Sequence, residues 1–381
     1  MIYLDNAATS WPKPPEVYQV LGSFLQERGA NPGRGGHQMA LAAARTIVAT
    51  RCDLAELLGV RVPERIVFTA NATEATNLAI QGRLKPGDHV VTTDVEHNAI
   101  MRPLYAMRDR GVEVTVAVTD GEGRVSADEL RAALRPSTRM IAVGYASNVL
   151  GTVQPVAEIG RLAREAGVTF LCDAAQAVGE LPVDLEASLV DLAAFSGHKG
   201  LLGPPGTGAL YIAEGHEPAP LHYGGTGSRS ELEQQPDIMP DRYESGTANS
   251  VGLAALGAGV RFLLQQDVAR VHERLLGLTQ RLLDGLLSLP GVEVYGPRRA
   301  EERVALVAFN VRGLASSDAA FMLDQAYGIA CRGGLHCAPA AHRKAGTLQR
   351  GAIRFSPGVF TTDDEIERAL AAVAQLAREA S

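Results

Sequence analysis

Residues 65–84 read RIVFTA followed by NATEATNLAIQGRL: an apolar, β-branched run, a polar turn, then a segment with apolar residues at helical spacing. That is the sequence form of a strand feeding a helix. The form recurs. HVVTTD (89–94) leads into VEHNAIMRPLYAMRDRG (95–111), RMIAVGYAS (139–147) leads toward VAEIGRLAREAG (156–167), and VTFLCDAAQ (168–176), LAAFSG (192–197) and GALYIA (208–213) follow as short apolar runs. Strands alternating with helices predict an α/β fold, with a large, mostly parallel sheet covered by helices on both faces and ligands held beyond the carboxyl ends of the strands. Residues that carry chemistry are therefore expected just after strands.

After about residue 250 the text turns to long helical stretches, SVGLAALGAGVRFLLQQ (250–266) and VARVHERLLGLTQRLLDGLLSL (268–289), then VALVAFNVRG (304–313) and a closing helix that opens on Thr362, a good N-cap. The change predicts a large domain over residues 13–256 and a smaller α+β domain over 257–381, the latter joined by residues 1–12. A chain of 381 residues also exceeds the ~250–300 at which single cores stop growing.

Composition narrows the function classes. With 46% hydrophobic residues the chain has ample core material, and a formal net charge of −7 argues against a general nucleic-acid or anionic-membrane surface. No apolar stretch reaches the ~18 residues that suggest a membrane span. The opening MIYLDNAATSWPKP carries Asp5 and two prolines where a secretion signal needs a basic start and an apolar run, so a cytoplasmic protein is expected. Cys52, Cys172, Cys331 and Cys337 form no C-x-x-C pair and are expected as free thiols. Cys331, His336, Cys337 and His342 match no zinc-ligand spacing, so no metal is expected.

Three strand ends and one loop hold candidate chemistry. Thr73 lies in the first turn of the helix after RIVFTA, where free N–H groups can cradle a phosphate or where the residue can simply cap the helix. Asp173 and Gln176 follow the strand VTFL, and His198 and Lys199 close AFSGHKG, a place where a lysine can point into a cleft. GPPGTG (203–208) looks like the start of an ATPase phosphate loop, but Ala209 and Leu210 stand where that motif needs Lys and Ser/Thr. Finally, RGGLHCAPAAH (332–342) sets Cys337 after two glycines and between two histidines. The glycines predict a flexible turn or loop, outside any helix or strand, with the thiol near solvent. Arg332, His336 and His342 are candidates for a positive field that lowers the thiol pKa. A phosphate cradle, a carboxylate, a histidine and a strand-end lysine, in that order, suit pyridoxal 5'-phosphate, which needs a Schiff-base lysine, an acidic partner for its ring nitrogen and a phosphate site.

At this point the chain resembles the class V, fold-type I pyridoxal-phosphate enzymes, and within them the cysteine desulfurases of the SUF-related branch. The motifs YLDNAATS, GRGGH, TEATN, EHNA, SNVLGT, DAAQAVG, FSGHK, YESGTAN, RGGLHCA and IRFSPGVFTT carry the resemblance along nearly the whole chain. The resemblance implies Lys199 as the Schiff-base lysine, Asp173 as partner of the pyridinium nitrogen, Gln176 as partner of the phenolic oxygen and His97 as the imidazole stacked on the ring. It implies Thr73, Ser196 and His198 as phosphate ligands, with Thr247 supplying a further contact from the second subunit of a homodimer. Asn148 and Arg354 would hold the substrate carboxylate. Cys337 would be the nucleophile that takes sulfur from L-cysteine, leaving alanine and a persulfide for an acceptor protein, and its loop would be mobile to reach both. The family segment commonly reads R-x-G-x-x-C-A, whereas here Gly333 and Leu335 fill variable positions, PAAH follows, and Cys331 is an extra thiol. These departures leave the acceptor and the substrate preference open. A selenocysteine lyase, a sulfide-releasing lyase or an epimerase of the same fold differs in what Cys337 must do; a non-catalytic sulfur-transfer partner fits the intact Lys199 poorly.

Overall fold

The computed structural model describes residues 1–33 and 36–380, so Arg34 and Gly35 of the GRGGH motif lie outside the described residues. The chain opens with β1 (Ile2–Tyr3), α1 (Pro15–Arg28) and α2 (Gln38–Leu57). The alternating region follows: β2 (Ile66–Thr69), α3 (Ala72–Arg83), β3 (His89–Thr93), α4 (Asn98–Arg108), β4 (Glu113–Ala117), α5 (Ala127–Ala133), β5 (Thr138–Gly144), α6 (Val156–Ala166), β6 (Thr169–Asp173), β7 (Leu192–Ser196) and β8 (Gly208–Ile212). Beyond it come α7 (Ser250–Gln266), α8 (Val268–Ser288), β9 (Val292–Tyr295), β10 (Val307–Val311), α9 (Ser316–Tyr327), β11 (Ile329–Ala330), β12 (Arg332–Gly334), α10 (Pro339–Lys344), β13 (Ala352–Phe355) and α11 (Asp363–Glu379).

Strands β2 to β8 form one seven-stranded sheet in the order β2-β8-β7-β6-β5-β3-β4. Its β4-β3-β5-β6-β7 run is parallel, and β8 is antiparallel to both β7 and β2. The central parallel strands lie between helices on both faces, and every residue of β3, β6 and β7 is buried, whereas the edge strand β4 exposes Glu113 and Val116. Local signals end the helices on cue. Asn71 caps α3 by accepting the Glu74 N–H, Gly167 closes α6 at φ 66°, and Thr362 with Glu365 forms a capping box on α11. Among the described residues no helix is long and apolar enough to cross a membrane.

A second, antiparallel sheet of order β12-β13-β10-β9 packs with α8, α9 and α11 around its own core. Ile2 and Leu4 belong to that core, and β1 pairs in parallel with β11 as a separate two-stranded sheet, so the N-terminal segment returns to the small core. The change in sequence texture near residue 257 is not where the core changes. Residue 257 lies inside α7, whose Val260 and Leu263 pack in the large core, as do Val271 and Leu275 of α8. Leu278, Leu282, Leu283 and Leu286 of the same helix pack in the small core. One amphipathic helix thus crosses from one core to the other between Leu275 and Leu278.

Candidate active site

The loops that follow β2, β3, β5, β6 and β7 converge on a cavity of about 280 Å³. Eight of the candidate residues from the sequence line it together: Thr73, His97, Asn148, Asp173, Gln176, Ser196, His198 and Lys199. They meet because each sits at or just past a strand's carboxyl end on the same edge of the sheet.

One end of the cavity is built from backbone donors and hydroxyls. Asn71 Oδ1 accepts the Glu74 N–H at 3.0 Å while Glu74 Oε2 accepts the Ala70 N–H at 2.6 Å, which fixes the first turn of α3. The Ala72 N–H donates to Ser196 Oγ at 3.0 Å, tying that turn to the end of β7. Gly208 permits the approach, since a Cβ there would come within 2.6 Å of Asn71 Cα. Among the described residues His198 Nδ1 is buried with no hydrogen-bond partner. Burial pushes the His198 pKa down to about 4, and the nearby Lys199 and Lys13 charges add to the effect. A helix N-terminus, two hydroxyls and an unsatisfied imidazole nitrogen suit an anionic oxygen cluster such as a phosphate.

In the middle, Asp173 ends β6, and its Oδ1 accepts the Ala175 N–H at 3.0 Å. Lys199 follows β7, and its amine makes no hydrogen bond or ion pair with the described residues. Burial pushes its pKa down and the Asp173 carboxylate opposes the shift. His97 caps α4 through Nδ1, which accepts the Ala99 N–H at 3.0 Å, so the neutral ring carries its proton on Nε2. Burial lowers the His97 pKa as well, again against the pull of Asp173. Gln176 donates to the Ala7 carbonyl at 3.1 Å, which anchors the YLDNAATS segment and leaves its second N–H for the cavity.

At the far end, Asn148 Nδ2 donates to the His336 carbonyl at 2.7 Å, while its Oδ1 is buried and unpaired among the described residues. Arg354 does not line the cavity. It lies fully inside the protein on β13, donating to the Asn148 carbonyl at 2.9 Å and to Asp5 Oδ1 at 3.1 Å. Burial lowers its pKa and Asp5 resists. Glu96 was not singled out from sequence although it precedes His97 in EHNA. It lines the cavity, accepts from Thr93 Oγ1 at 2.6 Å and from the Gly144 N–H at 2.9 Å, and burial pushes its carboxyl up to about 8.

The Cys337 segment departs from expectation in three ways. Arg332–Gly334 is a strand, β12, paired with β13, where the glycines had suggested loop alone. The turn after it is held rather than loose: the Asn98 N–H donates to the Cys337 carbonyl at 2.9 Å, Asn148 holds the His336 carbonyl, and the Ala338 N–H closes on the Leu335 carbonyl at 3.0 Å. The two histidines provide no positive field, because burial pushes His336 down to about 2 and His342 to about 4, leaving both neutral near pH 7. The Cys337 side chain itself is exposed, and Asn98, which holds it, adjoins His97 of the cavity. Cys331 packs against the small core, and burial pushes its thiol up to about 12. Thr247 lies outside this cavity, on an exposed stretch lining a separate hollow of about 220 Å³ with Phe68, Glu74 and Glu244.

The family model for class-V aminotransferases matches residues 2–369 of this chain. The chain belongs to the class-V aminotransferase family. A relative from Methanothermobacter thermautotrophicus, named a probable cysteine desulfurase, is 36% identical over 96% of this chain and 92% of its own. A Cronobacter sakazakii cysteine desulfurase is 34% identical over 99% and 94%. Among solved structures, the apo cysteine desulfurase of Thermococcus onnurineus superposes with a TM-score of 0.93 at 33% identity, covering 99% of this chain and 95% of that one. Escherichia coli CsdA, a cysteine desulfurase in an S-sulfonic acid form, gives 0.89 at 29% over 99% and 94%. The family fold is thus present throughout: a large, mostly parallel sheet of the fold-type I kind with a smaller α+β unit.

Proposed function

We propose that this protein is a pyridoxal-phosphate-dependent cysteine desulfurase that converts L-cysteine to L-alanine and carries the sulfur as a persulfide on Cys337. The observation that carries the reading is the pairing of two nucleophiles of opposite character around one helix start: an unpartnered, desolvated Lys199 amine in the cavity, and an exposed Cys337 thiol whose backbone is bonded to α4 next to His97.

The donor set fits the cofactor. The first turn of α3 with Thr73, Ser196 and His198 would hold its phosphate, Asp173 its ring nitrogen, Gln176 its phenolic oxygen and His97 the ring face. Thr247, exposed and outside its own chain's cavity, would complete the phosphate site of the partner in a homodimer. When bound, pyridoxal phosphate supplies an aldehyde that condenses with amines and an electron sink for the substrate's α-carbon.

The chain's own residues supply the rest. Free lysine, with a pKa near ~10.4, is protonated at neutral pH, and burial shifts Lys199 toward the neutral amine needed both as nucleophile and as base. Asn148, whose unpaired Oδ1 can accept from the substrate's α-amino group, would orient that group, and the buried Arg354 guanidinium, bonded to the Asn148 carbonyl, would fix Asn148 from behind. His97, which lines the cavity and bears its proton on Nε2, would move a proton there. The Cys337 thiolate attacks the substrate sulfur: an S–S bond forms, the Cβ–S bond breaks, and the carbon keeps the electron pair and takes up a proton to give alanine. An exposed thiol can then pass its sulfur to an acceptor protein in the cytoplasm.

The test is alanine formation from L-cysteine by protein reconstituted with pyridoxal phosphate, together with borohydride reduction and peptide mapping. Cofactor fixed to Lys199 and alanine in step with persulfide support the reading; a label on Lys13 or Lys344 contradicts it.

A further inference from the structure

Directly behind the Cys337 turn lies a buried hydrogen-bond chain that the reaction above does not use. His336 and His342 are 4% and 0% exposed, and their rings stack with centroids 5.5 Å apart and planes inclined by 14°. His336 Nδ1 lies 3.3 Å from His342 Nε2, and His342 Nδ1 lies 2.7 Å from Thr347 Oγ1. At the other end His336 Nε2 lies 3.4 Å from the Arg332 carbonyl.

Elementary proton accounting fixes the direction of this chain. The Arg332 carbonyl can only accept, so His336 carries its proton on Nε2 and its Nδ1 must accept. His342 therefore donates from Nε2, its own Nδ1 accepts, and the donor to it at 2.7 Å is the Thr347 hydroxyl, whose other acceptor within reach, the His342 carbonyl, lies farther off at 3.5 Å. With both rings neutral, as burial makes them, one tautomer assignment satisfies every atom. Reversing it would set two acceptors, His336 Nε2 and the Arg332 carbonyl, against each other. The Arg332 and Arg354 charges also face His336 and disfavour an imidazolium there.

A polar chain buried this deeply is retained at a cost unless it holds a geometry that apolar packing would not. The geometry here is backbone. His336 and Cys337 both adopt left-handed conformations, φ 50° and 57°, which side-chain-bearing residues adopt only when their surroundings impose them. We propose that Thr347, His342 and His336 are positioning residues for Cys337: the Thr347 proton sets the tautomer of both imidazoles, and His336, fixed at its ring and at its carbonyl, holds the next residue in the turn that presents the thiol outward. Its catalytic consequence rests on the reading of Cys337 as the sulfur acceptor; its structural consequence does not.

The test uses cofactor-loaded full-length protein with two readouts, deuterium exchange at the Asn98 amide, which bonds to the Cys337 carbonyl, and the single-turnover rate of persulfide formation from L-cysteine. Thr347→Val keeps the shape and removes the hydroxyl, and Thr347→Ser keeps the hydroxyl. His342→Gln keeps a donor toward His336 but loses the acceptor for Thr347, and serves as the second route if the valine variant folds poorly. Thr347→Val and His342→Gln should each raise Asn98 exchange and slow persulfide formation about tenfold, the factor of one ordinary buried hydrogen bond, with β6 amides unchanged and Thr347→Ser near wild type. Unchanged Asn98 exchange in both, or a serine variant as impaired as the valine, overturns the proposal. Should Cys337→Ser protein still desulfurate cysteine, the acceptor reading fails while the exchange result still decides the network.

Discussion

Lys199 and Cys337 are both nucleophiles in the proposed reaction, yet the fold surrounds them differently. Lys199 leaves the end of a central strand with its amine unpaired in a buried cavity, and desolvation lowers its pKa. Cys337 exposes its side chain, while its backbone is fixed by Asn98 from one side and, through His336, by Asn148 from another. An amine that must be neutral gains from loss of water around it. A thiol that must meet both a substrate and an outside acceptor gains from exposure, provided its backbone is placed. Fixing the peptide and freeing the side chain satisfies both demands without a mobile loop.

The largest break in this comparison should come from Lys199→Ala. Turnover should fall by on the order of a thousandfold or more, because among the described residues no other lysine lines the cavity, and steady-state alanine assays would show it. Next, Cys337→Ser should lose persulfide and alanine formation from L-cysteine while keeping cofactor absorbance and cysteine-induced spectral change. Loss of cofactor in that variant would mean that the two regions are not separable as described.

A smaller effect sharpens the picture of the cavity floor. Glu96 has its folded pKa raised to about 8 by burial, from the ordinary carboxyl value. The folded state therefore binds a proton that the unfolded state releases, and stability is lost as pH climbs from about 4.5 to about 8. Glu96→Gln needs no proton, so its stability relative to wild type should improve by ~1.4 kcal/mol per pH unit at most across that window and level off above it. Urea unfolding at three pH values reads this; a flat difference would mean that the carboxyl is ionised in place. Smallest of all, Cys331→Ser should keep its desulfurase activity, since that thiol packs in the small core with its pKa up to about 12. Equal activity loss at Cys331 and Cys337 would erase the distinction between a packed and a presented cysteine.

How much of this could be read in the sequence depended on how local the cause was. Strand ends were legible because central parallel strands are largely apolar runs and the residues just beyond them are the ones that can reach a ligand; Asp173, His198 and Lys199 follow from that rule, whereas Ser196 came only from the family resemblance. β12 was hidden because its pairing is with β13, some twenty residues on, and Gly333 is required there by packing: a Cβ would come within 2.4 Å of the Ser316 carbonyl. The neutrality of His336 and His342 was also out of reach, since beside Arg332 they look basic and only burial makes them neutral. The passage between cores within α8 leaves no mark, as its leucines keep one helical stripe throughout. Glu96 needed knowledge that Gly144 lies beside it.

The central claim is that sulfur reaches Cys337 only through chemistry that Lys199 enables. Mass spectrometry of peptides from cofactor-loaded protein after brief exposure to L-cysteine tests it most directly, with wild type and Lys199→Ala side by side. The account predicts one added sulfur atom on the Cys337 peptide of wild type and none on that peptide of the lysine variant. Sulfur on Cys52 or Cys331 in place of Cys337, or equal labelling of Cys337 in both proteins, would contradict it.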